Sequence, residues 1–210
     1  MSQELTKRIL SSIILLPVTL FFIIKGSFLF TIFILICLGI VIYEWHKMSK
    51  TKSYRIIGFI FLIISFYTIY KLRFDINHYW FLLLIILICV SADIGGYIFG
   101  KIFKGPKLTK FSPNKTYAGM IGGYLLSIIF AILFINFYLS DEINIIWIIF
   151  ITMVSTISQL GDIIVSYFKR LSNIKDTGKI IPGHGGLLDR VDGMIFAFPF
   201  SYLISLIDVL

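Results

Sequence analysis

Seven runs of mostly apolar residues leave this chain few ways to fold. They cover about 9–24, 27–45, 55–70, 78–100, 117–138, 144–168 and 193–210. A helix crossing a bilayer needs about 20 such residues, and most of the runs approach that length. Water offers no comparable solution. Of the 210 residues 58% are hydrophobic, and the mean hydropathy is +0.95. A soluble domain of this size cannot hide that much apolar surface. The expected class is an all-α, polytopic integral membrane protein with about seven transmembrane helices. Charged residues make up 14% of the chain and cluster between the runs. No separate soluble domain fits, so residues 1–210 read as a single membrane domain, with the catalytic half at about 90–195.

Charge sets the expected orientation. With the N-terminus in the cytoplasm, all of the 19 Lys and Arg except Lys25, Lys71 and Arg73 fall on the inner side. That is a strong positive-inside bias. The outer loop after the fifth run carries Asp141 and Glu142 and no base. The net charge of +8 therefore points to anionic lipid rather than nucleic acid. The first run follows Lys7 and Arg8 as in a signal peptide, yet ends at Ile24-Lys25-Gly26 without a small-x-small cleavage pattern. It reads as a retained anchor, and Pro17 as a tolerated kink. Cys37 and Cys89 sit inside apolar runs and read as small hydrophobes.

The polar chemistry gathers in two inner loops, about Lys101–Thr116 and Lys169–Val191, and in the spans beside them. Asp93 and Asp162 fall within predicted spans, where a carboxylate is costly and marks a functional site. Counted from the inner ends of their runs, both lie roughly 10 Å deep at about 1.5 Å per residue. Ser155, Ser158, Gln159, Asp162, Ser166 and Lys169 recur at three- and four-residue steps, forming one polar stripe on an apolar helix. Hydroxyls alone would be helix–helix glue, but a stripe ending in Asp and Lys reads as the lining of a wet cavity. Asp189 and Asp192 share a face if helical and, with Asp162, offer hard oxygen ligands of the kind Mg²⁺ takes. Salt bridges to Arg190 and nearby lysines are the other reading of that pair. Gly119 and Gly123 read as a close-packing pair. The run Pro182-Gly183-His184-Gly185-Gly186 cannot be a helix interior. It can turn successive N–H groups toward an anion, which suits phosphate just ahead of a helix. His184 stays open as a proton carrier, a phosphate ligand or a loop polar group.

These residues also form a recognisable pattern. The run Ser166-x-x-Lys169-Arg170-x4-Lys175-Asp176-x-Gly178-x3-Pro182-Gly183-His184-Gly185-Gly186-x-x-Asp189-Arg190-x-Asp192 resembles the signature of phosphatidate cytidylyltransferases, the CDP-diacylglycerol synthases. Gln159-x-Gly161-Asp162, Asp93-x-Gly95-x-Tyr97-x-x-Gly100-Lys101, Ser112-Pro113-x-Lys115-Thr116-x-x-Gly119-x-x-Gly122-Gly123 and Tyr43-Glu44-Trp45 resemble it too. Asn114, Ala118, Val165 and Gly193 depart from the common pattern, and the chain is shorter than the family's usual length by one or two N-terminal spans.

The resemblance implies a reaction: CTP plus phosphatidate gives CDP-diacylglycerol and diphosphate, with Mg²⁺. It implies metal-holding carboxylates at Asp162, Asp189 and Asp192, and it admits a second, monovalent cation such as K⁺. It implies a homodimer, and a bacterial inner (cell) membrane with the active site facing the cytoplasm. With it, the expected catalytic set is Asp162, Lys169, Arg170, Asp176, Asp189, Arg190 and Asp192. Lys169, Arg170, Lys175 and Arg190 would hold substrate phosphates. Ser112, Lys115 and Thr116 would close over the nucleotide, joined in substrate binding by Asp93, Gly183, His184, Gly185 and Gly186. Two alternatives stand beside this. One is a related enzyme that phosphorylates or cytidylylates a polyprenol-type lipid. The other is an ion or anion transporter, although no inverted repeat is visible.

Overall fold

The computed structural model describes residues 3–74, 79–110, 112–139, 143–183 and 185–207, with the side chains of residues 3–10, 12 and 139 outside that description. The described residues form the helices α1 Gln3–Lys25, α2 Ser27–Ser49, α3 Arg55–Phe74, α4 Tyr79–Phe103, α5 Tyr117–Leu139, α6 Ile145–Leu171, α7 Leu188–Val191 and α8 Met194–Ser205. No strand occurs among them; two isolated antiparallel bridges join Lys107 to Thr116 and Ile181 to Gly185. The all-α expectation holds, and each of the seven apolar runs lies on a helix. Five helices, α2 to α6, are long and apolar enough to cross a membrane, while Ile13–Lys25 and Met194–Ser205 are shorter apolar segments. Large apolar side chains such as Ile57 and Phe137 face outward, as a lipid solvent allows. Asp141 and Glu142 lie outside the described residues.

Helices α2, α4 and α6 outlast their apolar runs at the C-terminal end. α2 continues through His46 and Lys47, α4 through Lys101, and α6 through Lys169 and Arg170. A cation ends a hydropathy run, but it favours the negative end of the helix dipole. The same residues therefore stop one signal and support the other. As a result Asp93 is about 15 Å from the end of α4, and Asp162 about 14 Å from the end of α6, at 1.5 Å per residue. Both are farther from their helix ends than the run boundaries suggested.

The backbone groups into two compact units, residues 1–79 with 169–191 and residues 80–168 with 192–210. In the first, α2 packs against α1, α3 and α7. The α1–α2 reversal turns on Gly26, whose φ is 62°. Arg73 closes that end, donating Nε to Ile23 O at 2.8 Å and Nη2 to Ile24 O at 3.4 Å. These are carbonyls that a helix end leaves without internal partners, so a base outside the inner set has a local structural task. At the other end, Trp45 lies under α3 and donates Nε1 to Arg55 O at 3.1 Å.

The second unit brings α4 and α5 into backbone contact. A Cβ on Gly95 would overlap the Gly122 carbonyl, and one on Gly119 would sit 2.6 Å from Gly96 O. The small-residue packing expected of Gly119 and Gly123 is present and extends to Gly95, Gly96 and Gly122. Tyr124 OH bonds Thr156 Oγ1 at 3.0 Å between α5 and α6, and Phe81 stacks on Phe150 at 5.6 Å between α4 and α6. Along the α6 stripe Ser155, Ser158, Ser166 and Lys169 are buried and Gln159 and Asp162 partly open; Ser158 packs against Gly193, so with Ser155 it serves helix packing rather than lining a wet cavity. A Gly95→Ala substitution is expected to cost about 1–3 kcal/mol, the usual penalty for overpacking a tight core. Thermal unfolding in detergent checks this against Gly39→Ala, where an added Cβ meets nothing within 4 Å and stability should hold.

Candidate active site

The loop after α4 is built to present one lysine. Lys104 and Gly105 take positive φ, at 53° and 99°, and reverse the chain. Leu108 N donates to Lys115 O at 2.7 Å, and Tyr117 N to Pro106 O at 3.2 Å. Lys115 N donates to Ser112 O at 3.0 Å across Pro113-Asn114, and Ser112 N to Thr109 Oγ1 at 3.2 Å. Thr116 ends the loop as the cap of α5, its Oγ1 accepting Gly119 N at 3.1 Å, an N-cap in the ordinary sense. Held on both sides, Lys115 forms an ion pair with Asp162 Oδ2, each side chain about 25% exposed. One turn further along α6, Ser166 Oγ donates to Asp162 Oδ1 at 3.3 Å.

Two other predicted aspartates belong to the same unit. Asp192 is buried, and its Oδ1 accepts Gly193 N at 3.0 Å. Its backbone lies against α6: a Cβ on Gly161, next to Asp162, would be 3.1 Å from Asp192 O. Asp93 is exposed on α4.

Asp189 is the centre of the polar stretch in the other unit. Lys169 Nζ donates to its Oδ1 at 3.0 Å, with side chains 11% and 6% exposed. Thr177 N and Gly186 N donate to its Oδ2 at 2.8 and 3.0 Å. Ile181 and Gly185 exchange backbone hydrogen bonds of 2.9 and 3.1 Å around a turn where Gly183 and Gly185 have φ of 75° and 94°. The glycine run does turn amides toward anions, as its composition suggests. Within the run it is Gly186 N that reaches a carboxylate, Asp189, and just past the run Leu187 N and Leu188 N reach Glu44. Arg170, Lys175, Asp176 and Arg190 are exposed, and Arg170 Nη1 donates to Ile174 O at 3.1 Å. His184 lies outside the described residues.

Glu44 is the residue that sequence reasoning quoted without giving it work. It is 1% exposed and accepts three hydrogen bonds, from Thr177 Oγ1 at 3.1 Å, Leu187 N at 3.0 Å and Leu188 N at 2.8 Å. Its sequence signals are a carboxylate placed among apolar residues near the end of α2 and its place in the Tyr43-Glu44-Trp45 pattern.

The three aspartates offer hard, anionic oxygens, a donor set whose chemistry suits Mg²⁺. Two of them, Asp162 and Asp189, are held by lysine ammonium groups, so a cationic partner already occupies the place a metal's charge would take. No group of three or more His, Cys, Asp or Glu among the described residues is clustered to hold a metal ion. Chemically, the arrangement offers two carboxylate–ammonium pairs, Asp162 and Lys169 on α6, Asp189 on α7 and Lys115 on a braced loop, charges that an enzyme handling phosphate needs.

Comparison with known proteins follows the same lines. The model of the cytidylyltransferase family matches residues 6–80 and 56–207. A phosphatidate cytidylyltransferase of Rickettsia felis is 38% identical over 98% of this chain and 94% of its own length. One of Rickettsia bellii is also 38% identical, over 97% of this chain and 91% of its own. One of Staphylococcus haemolyticus is 35% identical over 79% of this chain and 65% of its own. With the matches running through both units and both loops, the chain belongs to the cytidylyltransferase family.

Proposed function

We propose that this protein is a phosphatidate cytidylyltransferase, making CDP-diacylglycerol and diphosphate from CTP and phosphatidate in phospholipid synthesis. The observation that carries the reading is the likeness, over 98% of the chain, to a protein of that name. A phosphate oxygen of phosphatidate attacks the α-phosphorus of CTP. The bond from that phosphorus to the bridging oxygen breaks, and diphosphate leaves with the electron pair. A phosphate monoester is already an anionic nucleophile, so the protein's task is alignment and charge neutralisation. Lys115 is suited to move between Asp162 and the nucleotide's phosphates, with Ser112 and Thr116 shaping its loop. Lys169, Arg170, Lys175 and Arg190 supply positive charge for substrate phosphate; Asp93, Asp176 and the Gly183–Gly186 turn complete the proposed set. Asp162, Asp189 and Asp192 are the residues that would hold Mg²⁺, with K⁺ as a second cation. Bound Mg²⁺ would neutralise phosphate charge.

The wider setting belongs to the same proposal. All seven apolar segments, α1 to α6 and α8, span the membrane as one domain, with the N-terminus and the chemistry on the cytoplasmic side of a bacterial inner membrane. The protein works as a homodimer. The test uses purified protein with CTP, offering phosphatidate and a polyprenyl phosphate together, with and without Mg²⁺. CDP-diacylglycerol should form only with Mg²⁺, and the polyprenyl phosphate should remain unchanged. Preferential conversion of the polyprenyl phosphate would replace phosphatidate as the acceptor.

A further inference from the structure

We propose that Glu44 is a positioning residue for this reaction, fixing the backbone at Thr177 and at Leu187–Leu188 and, through it, the carboxylate of Asp189. The proposal rests on reading Asp189 as a catalytic carboxylate. A buried carboxylate is costly unless it is fully hydrogen-bonded, and Glu44 collects three donors onto its two oxygens. The donors come from both ends of one loop: Thr177 Oγ1 at its start, and Leu187 N and Leu188 N at its finish. The same two places hold Asp189, through Thr177 N and Gly186 N. Thr177 therefore gives its hydroxyl to Glu44 and its amide to Asp189. The two carboxylates tie the same loop ends through shared residues, and a shift at one is felt at the other.

Glu44 also accounts for two glycines in the stretch. A Cβ on Gly178 would stand 2.6 Å from Glu44 Oε1, and one on Gly186 would stand 2.6 Å from Glu44 Oε2. Both loop ends press against this one carboxylate with no room for a side chain. A packing residue alone would not need charge here, because apolar groups of the same shape serve that purpose at lower cost. Three aligned donors are what a carboxylate adds.

Glu44→Gln isolates that contribution. The side chain keeps its size but has one acceptor oxygen. Either amide orientation sets an NH₂ group against the Leu187 or the Leu188 N–H. Hydrogen exchange of whichever of the Leu187 and Leu188 amides faces the NH₂ should speed up about tenfold or more, the scale of a lost buried hydrogen bond, while amides in the middle of α2 keep their rates. With CTP and phosphatidate, kcat should fall about tenfold and the KM for CTP should change little. Thr177→Val removes one donor, keeps the size of the side chain, and should shift both readings in the same direction by less. Faster exchange with wild-type kcat would reduce Glu44 to a structural brace and overturn the positioning role. Unchanged exchange would overturn it as well. A wild-type protein that makes no CDP-diacylglycerol defeats the assigned reaction instead, and the exchange measurement then decides whether Glu44 holds the loop.

Discussion

Asp189→Asn should reduce turnover by about 10²–10³-fold, the scale of losing one preorganised electrostatic group, and should lower stability at the same time. The two effects have separate causes. Thr177 N and Gly186 N can still donate to an amide oxygen placed at Oδ2. The other terminus then becomes NH₂ facing Lys169 Nζ, where Oδ1 had accepted at 3.0 Å. Both side chains are nearly buried, and removing one member of a buried ion pair typically costs about 3–5 kcal/mol. Lys169→Met added to Asp189→Asn should recover much of the melting temperature and none of the turnover. Thermal unfolding and kcat on the same samples separate the two. Recovery of activity in the double variant would show Asp189 to be structural.

Asp162→Asn should behave differently. Turnover should again fall by about 10²–10³-fold, but the melting temperature should hardly move. Its ion pair with Lys115 is about 25% exposed on each side, more open than the Lys169–Asp189 pair, so its contribution lies nearer the ~0–1 kcal/mol of screened pairs than that of a buried one. Lys115→Met should likewise leave stability intact, and should raise the KM for CTP if the ammonium leaves Asp162 for the nucleotide. A stable Asp162→Asn protein with near-normal kcat would remove Asp162 from the chemistry. A large loss of stability would assign the pair to the fold.

The contrast between these two aspartates was not legible in the sequence, although both were named there. Composition located the apolar helices, because a bilayer leaves the backbone no other way to satisfy its hydrogen bonds, but not the short α7 in the polar stretch. It misjudged the ends of α4 and α6, where Lys101 and Lys169 interrupt hydropathy without interrupting the helix. Spacing found Asp162, and the family resemblance singled out Lys115; their ion pair went unseen, since nothing along the chain links positions on different elements. Gly119 and Gly123 announced close packing through their four-residue step. Their partner surface on α4, at Gly95 and Gly96, shows only in the structure, where the backbones meet. Glu44 stayed hidden for the same reason as the ion pairs: its donors Thr177, Leu187 and Leu188 come from more than a hundred residues away. A hydroxyl stripe gave no warning that Ser155 and Ser158 would be buried while Asp162 stays partly open. That distinction depends on which helix covers which turn, and α8 covers this one: a Cβ on Gly193 would overlap Ser158.

The most direct measurement follows the fate of individual CTP phosphates. Purified protein in phosphatidate-containing vesicles is given CTP labelled at either the α- or the γ-phosphate, with Mg²⁺ present. Cytidylyl transfer requires the α-label to enter the lipid as CDP-diacylglycerol and the γ-label to leave as diphosphate, in equal amounts. A γ-label in the lipid would make the protein a lipid kinase, and no label in the lipid from either substrate would contradict the account altogether.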